Sequence, residues 1–505
     1  MSSKFSRRQF LGLSATVATA TLLAACSPQP AAKPTEQAQT SVAPAEATAV
    51  PEATAAPAQA KFAGKVQMWV QFYTPTESME WSEDNPLPHN QVQVLADEYV
   101  KAHPDVSIEI VHKPAQTDDH EWIVTGQAGG TIPHVCWTHS FWVNGEIDKN
   151  WWVPLDPFMA EPNPYCESGQ PGSAKWLDEF FEVPTENKRS PDGKLYVVPL
   201  DLVTTFFFFN KNLFTQYGVE PPSTFGEFLS IMDKIKGAGG IPYGNLGWYQ
   251  SQIGGMIYAK KAKELNPSGG AMSLQTVACA IQQGKYRATN PEYKDWLTLV
   301  KKIVPYLAPD WAAAGTDFNQ KFLNQEIAIF EDGTWRFGYL RANSLLKFEW
   351  STFYAPTVTA EDSAFATGEK ANPIGGATAA QWAISTRAEK ENILPTVVDI
   401  LRFYTEPKNA GRLIGECNSF LPNIKGVDVS QDLKEPLKAI SEGQGEAAML
   451  TYPDKFDTET QQKLEPLWNN FKLGQITLEE AQQQIDELMT TYADGAIKKN
   501  NWTCS

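Results

Sequence analysis

Between Lys65 and Val111 the chain changes its hydrophobic period twice, and that narrows the folds open to it more than any other feature. Val66-Gln67-Met68-Trp69-Val70 alternates as a strand does. Val92, Leu95, Ala96, Tyr99 and Val100 then fall at helical spacing. His103-Pro104-Asp105 breaks that helix, and Val106 to Val111 reads as a second strand. Strand, helix and strand at this spacing predict a right-handed βαβ unit within an α/β sheet. A chain of 505 residues is too long for one compact core, so two lobes are expected.

The same reading extends along the chain. Gly130-Thr131-Ile132-Pro133 leads into an apolar Val135-Cys136-Trp137, and Trp151 to Phe158 reads as a loop. Gly193 to Pro199 and Thr204 to Phe209 are strand-like. Phe206 to Phe209 is four aromatics in a row, which predicts a strand buried on both faces rather than a binding platform. Thr224 with Glu227, and Thr477 with Glu480, have the spacing of capping boxes at helix starts. Behind the second, Leu478, Ala481, Ile485, Leu488 and Tyr492 form one apolar stripe.

The first residues set the compartment. Ser6-Arg7-Arg8-Gln9-Phe10-Leu11 has the twin-arginine export pattern. The apolar stretch Leu13 to Ala25 is too short to span a bilayer comfortably. It ends in Leu23-Ala24-Ala25-Cys26, which resembles a lipobox. Residues 1–25 are therefore expected to be a signal peptide, with Cys26 taking the lipid. Residues 26–61 are nearly all Ala, Pro, Thr, Glu, Gln and Ser, with no apolar period to drive ordering. They read as a tether reaching on the order of 100 Å at ~3.1 Å per residue. The protein is thus expected outside the cytoplasm, lipid-anchored to the membrane. The remaining five cysteines are widely spaced and include no CxxC; one or two disulfides are allowed, and no pairing follows. A net charge of -17 argues against nucleic acid as a partner.

Seven segments in order resemble the extracellular solute-binding proteins of carbohydrate ABC importers. They are Lys65 to Trp69, Pro133-His134-Val135, Asp192 to Pro199, Phe209 to Phe214, Pro222 to Phe225, Phe322 to Ile329 followed by Gly333-Thr334-Trp335, and Gly375-Gly376 with Leu421-Pro422. The resemblance runs from about Lys65 to Lys498. It implies a two-lobed α/β periplasmic-binding-protein fold, with hinge-crossing strands and a ligand cleft between the lobes. Residues 62–203 and 356–418 would form lobe I, and residues 204–355 and 419–505 lobe II. It also implies a monomer that binds a sugar and hands it to the transmembrane subunits of a permease.

A sugar presents apolar C–H faces and a rim of hydroxyls, so its site needs aromatic rings beside planar polar side chains. The resemblance places Trp335 as a stacking ring, after a loop that holds Asp332. Trp248 and Tyr249 lie in a Gly-rich stretch at the second lobe's cleft. Trp137, Thr138 and His139 follow a strand whose loop end would face the ligand, and Gln71 and Tyr73 leave the first strand at the same edge. Asp201 joins them as a carboxylate candidate. Gly375 and Gly376 could let backbone amides approach the ligand. His134, Cys136 and His139 have ligand-like spacing, but in a strand His139 points away from the other two, so no metal or cofactor is expected. His134 also stands where the family usually has Asp. No GxSxG, HExxH or GxxxxGK[ST] motif is present, so no enzyme is expected. The alternatives are a non-sugar solute on the same scaffold and a secreted carbohydrate-active enzyme with two carboxylates flanking a glycosidic bond.

Overall fold

The computed structural model describes residues 62–504 apart from 84, 115–116, 268–271, 314, 372–379, 431–432 and 435–457. Its strands are β1 (Gly64–Trp69), β2 (Val106–Ile110), β3 (Val135–Trp137), β4 (Val197–Pro199), β5 (Asp201–Leu202), β6 (Thr205–Asn210), β7 (Ile241–Tyr243), β8 (Ile327–Gly333), β9 (Trp350–Phe353), β10 (Gln381–Ile384) and β11 (Leu421–Pro422).

β1 buries Val66 and Met68 while Lys65 faces solvent, as the alternation predicts. It pairs in parallel with β2, Gly64 opposite Val106, and with β3, Met68 opposite Val135. The helix between β1 and β2, Gln91–Ala102, buries Val92, Leu95, Ala96 and Tyr99. The amide of His103 donates to the carbonyls of Tyr99 and Val100, closing the last turn before Pro104. β10 and β4 complete the sheet in the order β2-β1-β3-β10-β4, and β10 runs antiparallel to both its neighbours. β10 arrives from far along the sequence, so this core gathers residues from 66 to 203 and again from 380 to 427.

A second sheet has the order β7-β8-β6-β9. Its central strand β6 carries the four phenylalanines, and they divide by parity. Phe207 and Phe209 enter one core with Phe228, Tyr243 and Phe353; Phe206 and Phe208 enter another with Phe330 and Phe337. A strand with apolar layers on both sides has no solvent face, which is why its sequence does not alternate. The Phe207–Phe228 side also takes in the C-terminal helices Thr458–Leu473 and Leu478–Asn500. Both capping boxes form: Thr224 and Thr477 each accept the amide three residues on, and Glu227 and Glu480 reach back to their N-caps. Ala481 and Ile485 of the apolar stripe are fully buried, with Leu478, Leu488 and Tyr492 packed at the edge of the core.

A short two-stranded ladder, β5 with β11, pairs Leu202 with Leu421 where the chain leaves the first sheet for β6. Cys279 and Cys504 form a disulfide across 225 residues, while Cys136, Cys166 and Cys417 are free thiols. Two sequence readings differ in detail. Trp151 to Phe158 is not all loop: Asp156–Met159 is a helical turn started by Pro157, and Trp152 bridges to Ser385. The strand expected from Gly193 begins only at Val197, because Gly193 has φ +81° and closes a turn in which its amide donates to Ser190. Among the described residues no helix is long and apolar enough to cross a membrane.

Candidate ligand-binding site

In open α/β sheets a ligand site forms at the carboxyl ends of the strands, where the connections diverge. Here those ends carry aromatic rings. Trp69 closes β1 and Trp137 closes β3, their centroids 5.6 Å apart in an edge-on contact. Trp137 in turn meets His139 at 4.6 Å and Trp142 at 5.6 Å. Trp137 itself is buried, so it forms the floor of this cluster. His139, Phe141 and Trp142 are only partly buried and form its outer layer. His139 and Phe141 lie nearly parallel, centroids 4.8 Å apart, and His120 stacks on Trp142 at 4.5 Å. Glu146 fixes that edge, bonding the His120 ring at 2.9 Å and accepting from the Trp152 indole at 2.8 Å. Gln381 of β10 accepts from the Ser140 amide at 3.0 Å and lies 3.3 Å from Nδ1 of His139. Sequence reasoning left Phe141, Trp142 and Gln381 out of the site. The first two stand in the aromatic run that begins at Trp137; Gln381 gave no local signal, since only the sheet brings β10 beside β3.

A second aromatic group sits at the end of β8. Trp248 is 46% exposed and meets Trp335 edge-on at 5.6 Å and 70°. Trp335 starts the helix Trp335–Ala342 and is mostly but not fully buried. A Cβ on Gly333 would fall 2.0 Å from its six-membered ring, so only glycine lets the indole lie against that backbone. Asp332 beside it is buried rather than open to a ligand, its Oδ1 accepting from the Gly333 amide at 2.8 Å and its Oδ2 from Nε of Arg336 at 2.6 Å. The helix also reaches the first core: Trp335 and Tyr339 pack on it, Tyr339 meets Phe72 at 6.2 Å, and the Gly338 amide donates to Ser419 Oγ at 3.0 Å. It therefore ties the end of β8 to the turn that follows β1.

Four more expected ligand residues are turned inward. Tyr73 and Asp201 are bonded to one another, the phenol donating to Oδ2 at 2.8 Å, while Oδ1 accepts from the Ala380 amide at 2.9 Å. Both are buried, so they brace the junction of β5 with the first sheet rather than line an open wall. Burial and the facing carboxylate hold the Tyr73 phenol well above its ordinary range. Tyr249 follows Trp248 by one residue, about 100° round the helix, and so points into the core against Phe207 and Phe228. Its phenol donates to the Pro356 carbonyl at 2.7 Å. Thr138 is fully buried, and its Oγ1 has no hydrogen-bond partner among the described residues. Gln71 stays partly exposed at φ +49°, its amide oxygen accepting from Phe72. Gly375, Gly376 and Cys26 lie outside the described residues.

His134 does not join His139 in a metal-binding set. Its Nδ1 accepts from the Gln67 amide at 2.9 Å, which puts the proton on Nε2, facing Glu391 at 3.0 Å. Burial pushes its pKa down despite that carboxylate. A surface cavity of about 500 Å³ lies elsewhere, lined by Glu406, Lys408, Arg412 and Asp428 among others. Among the described residues no aromatic ring lines it, so they offer no stacking face there.

The comparisons agree with this architecture. A family model of bacterial extracellular solute-binding proteins matches residues 94–439. A chitin oligosaccharide binding protein superposes with a TM-score of 0.59 at 18% identity, over 86% of this chain and 100% of its own. Maltose-bound MalE3 of T. maritima gives 0.58 at 16%, over 85% and 99%. The ABC substrate-binding protein Lmo0181 of Listeria monocytogenes, in complex with cycloalternan, gives 0.55 at 16%, over 87% and 99%. At these identities the likeness is one of fold, a two-lobed one, while the family match spans more than half the chain. This protein belongs to the bacterial extracellular solute-binding proteins.

Proposed function

We propose that the protein captures a mono- or oligosaccharide between its lobes and delivers it to the membrane permease of an ABC importer. The observation that carries the reading is the pairing of two partly exposed aromatic groups with planar polar side chains. One is His139, Phe141 and Trp142 beside Gln381; the other is Trp248 and Trp335 beside Asp332. Rings of this kind stack on C–H faces, while Asp332 and Gln381, buried and bonded to Arg336 and to Ser140 and His139, hold the surroundings of the rings. Trp137 supports the first group from below. The named structural relatives bind chitin oligosaccharide, maltose and cycloalternan, which favours an oligosaccharide here.

In this reading one lobe is built on residues 66–203 with 380–427 and the other on 207–366 with 464–493, the ranges of the two cores rather than the joins at 356 and 419 expected from the sequence, and the two close about the crossings between them. A monomer, held outside the cytoplasm by a lipid on Cys26, would carry the closed form to the permease. A thermal-shift screen against raffinose, maltose, xylo- and chitin oligosaccharides tests it. A ligand at a hundred times its Kd should add about 2.7 kcal/mol of stability. The bound sugar should be recovered intact after long incubation. Failure of every sugar to stabilise the protein would turn the reading to a non-sugar solute, and sustained hydrolysis would turn it to an enzyme.

A further inference from the structure

Glu331 lies one residue before Asp332 in β8, almost fully buried. Its Oε2 accepts from the Gly247 amide at 2.5 Å and its Oε1 from the Tyr249 amide at 2.6 Å. These amides flank Trp248 and belong to the amino end of the helix Trp248–Ile257, whose N-cap residue supplies no side-chain bond of its own. The first amides of a helix have no acceptor within it, and a carboxylate is the favoured partner there. Usually a neighbouring residue supplies it; here a separate strand does. A Cβ on Gly247 would come within 3.1 Å of Oε2, so glycine allows the close approach.

The consequence is geometric. β8 runs on through Gly333 to Trp335, so one strand locates both rings: Trp335 by the chain itself, and Trp248 through Glu331. We infer that Glu331 is a positioning residue of the ligand site, fixing the end of the helix Trp248–Ile257 and so the angle between Trp248 and Trp335. The inference rests on reading those two rings as ligand contacts. It gives the buried carboxylate a task that core packing does not require, since an apolar side chain would fill the space without indexing the helix.

Glu331→Gln is the test. An amide offers one acceptor end and one donor end, so it cannot satisfy both backbone N–H groups. In the 15N–1H spectrum of purified protein at pH 8, where the carboxyl that burial raises to about 7 is ionised, the Trp248 indole resonance, assigned by its loss in Trp248→Phe, should shift or broaden. Indoles remote from the site, such as Trp176, should stay in place. Titration with raffinose, maltose and a chitin oligosaccharide adds a second reading. For a sugar that binds, Glu331→Gln should weaken affinity about tenfold, but less than about twofold in a Trp248→Ala background, because coupled residues are not additive. If Glu331→Gln melts near room temperature, Gly247→Ala disturbs the same contact from the other side and replaces it in both measurements. An unmoved Trp248 resonance in a folded variant overturns the inference, whichever sugar binds. A moved resonance, with Trp248→Ala binding as tightly as wild type, overturns the ligand reading of Trp248 and not its positioning by Glu331.

Discussion

Replacing Trp335 by alanine separates two tasks of its indole. The ring packs on the first core and rests against Gly333, so part of the loss falls on stability. Fully buried aromatics lose about 3–5 kcal/mol on truncation to alanine. Trp335 is mostly but not fully buried, and about 2–4 kcal/mol is the proportionate expectation. The rest falls on the ligand. Removing an aromatic anchor commonly weakens binding by ~2 kcal/mol or more, about thirtyfold in Kd. Trp248 would also lose its edge-on partner at 5.6 Å, which adds to the effect. Denaturant unfolding without ligand measures the first quantity, and calorimetric titration with a sugar selected by thermal shift measures the second. A variant that does not fold would make Trp335 a core residue, and one that folds with unchanged affinity would place the ligand away from this pair. Intrinsic fluorescence provides an internal check: sugar should perturb wild-type emission, and Trp335→Phe emission much less.

Three further outcomes are expected. Cys26→Ala should move the protein from the membrane fraction to the soluble one; retention of tight membrane association would refute lipidation there. Removing the Cys279–Cys504 bridge by Cys504→Ser should lower stability by about 2–5 kcal/mol, because the bridge closes a loop of 225 residues in the unfolded chain; an unchanged urea midpoint would refute this. Burial pushes the Glu331 carboxyl up to about 7 from an ordinary 4.5, so the folded protein retains a proton that the unfolded chain releases. Its contribution to stability is fully present below about 4.5 and declines as pH rises through 7. Glu331→Gln should therefore gain on the wild type across that window, and parallel stability profiles would count against it.

The Val66–Met68 alternation, the stripe of the Gln91–Ala102 helix and both capping boxes were legible because each is a contact between near neighbours in sequence. Their geometry depends on local backbone period and hardly at all on what lies across the sheet. The Phe206–Phe209 run also declared itself, since a strand without alternation has no face to give to water. The separation of Phe206 and Phe208 from Phe207 and Phe209 needed the layers on either side.

The candidate site was less legible, for a physical reason. Residue type marks Trp248 and Tyr249 as equally fit to meet a sugar, yet one is 46% exposed and the other fully buried. Their difference is the phase of a helix, and Glu331, 82 residues away, locks that phase through the Tyr249 amide. Tyr73 and Asp201 each look like a free polar group until the β5 junction brings them together across 128 residues. The five cysteines after Cys26 allowed several bridges, and only the approach of the C-terminal tail to the helix Leu274–Gln282 selects Cys279 with Cys504. Local order follows from the sequence because its periods repeat within a few residues. Which polar group is free to meet a ligand depends on long-range pairing, because a buried donor or acceptor takes whatever partner the topology brings near.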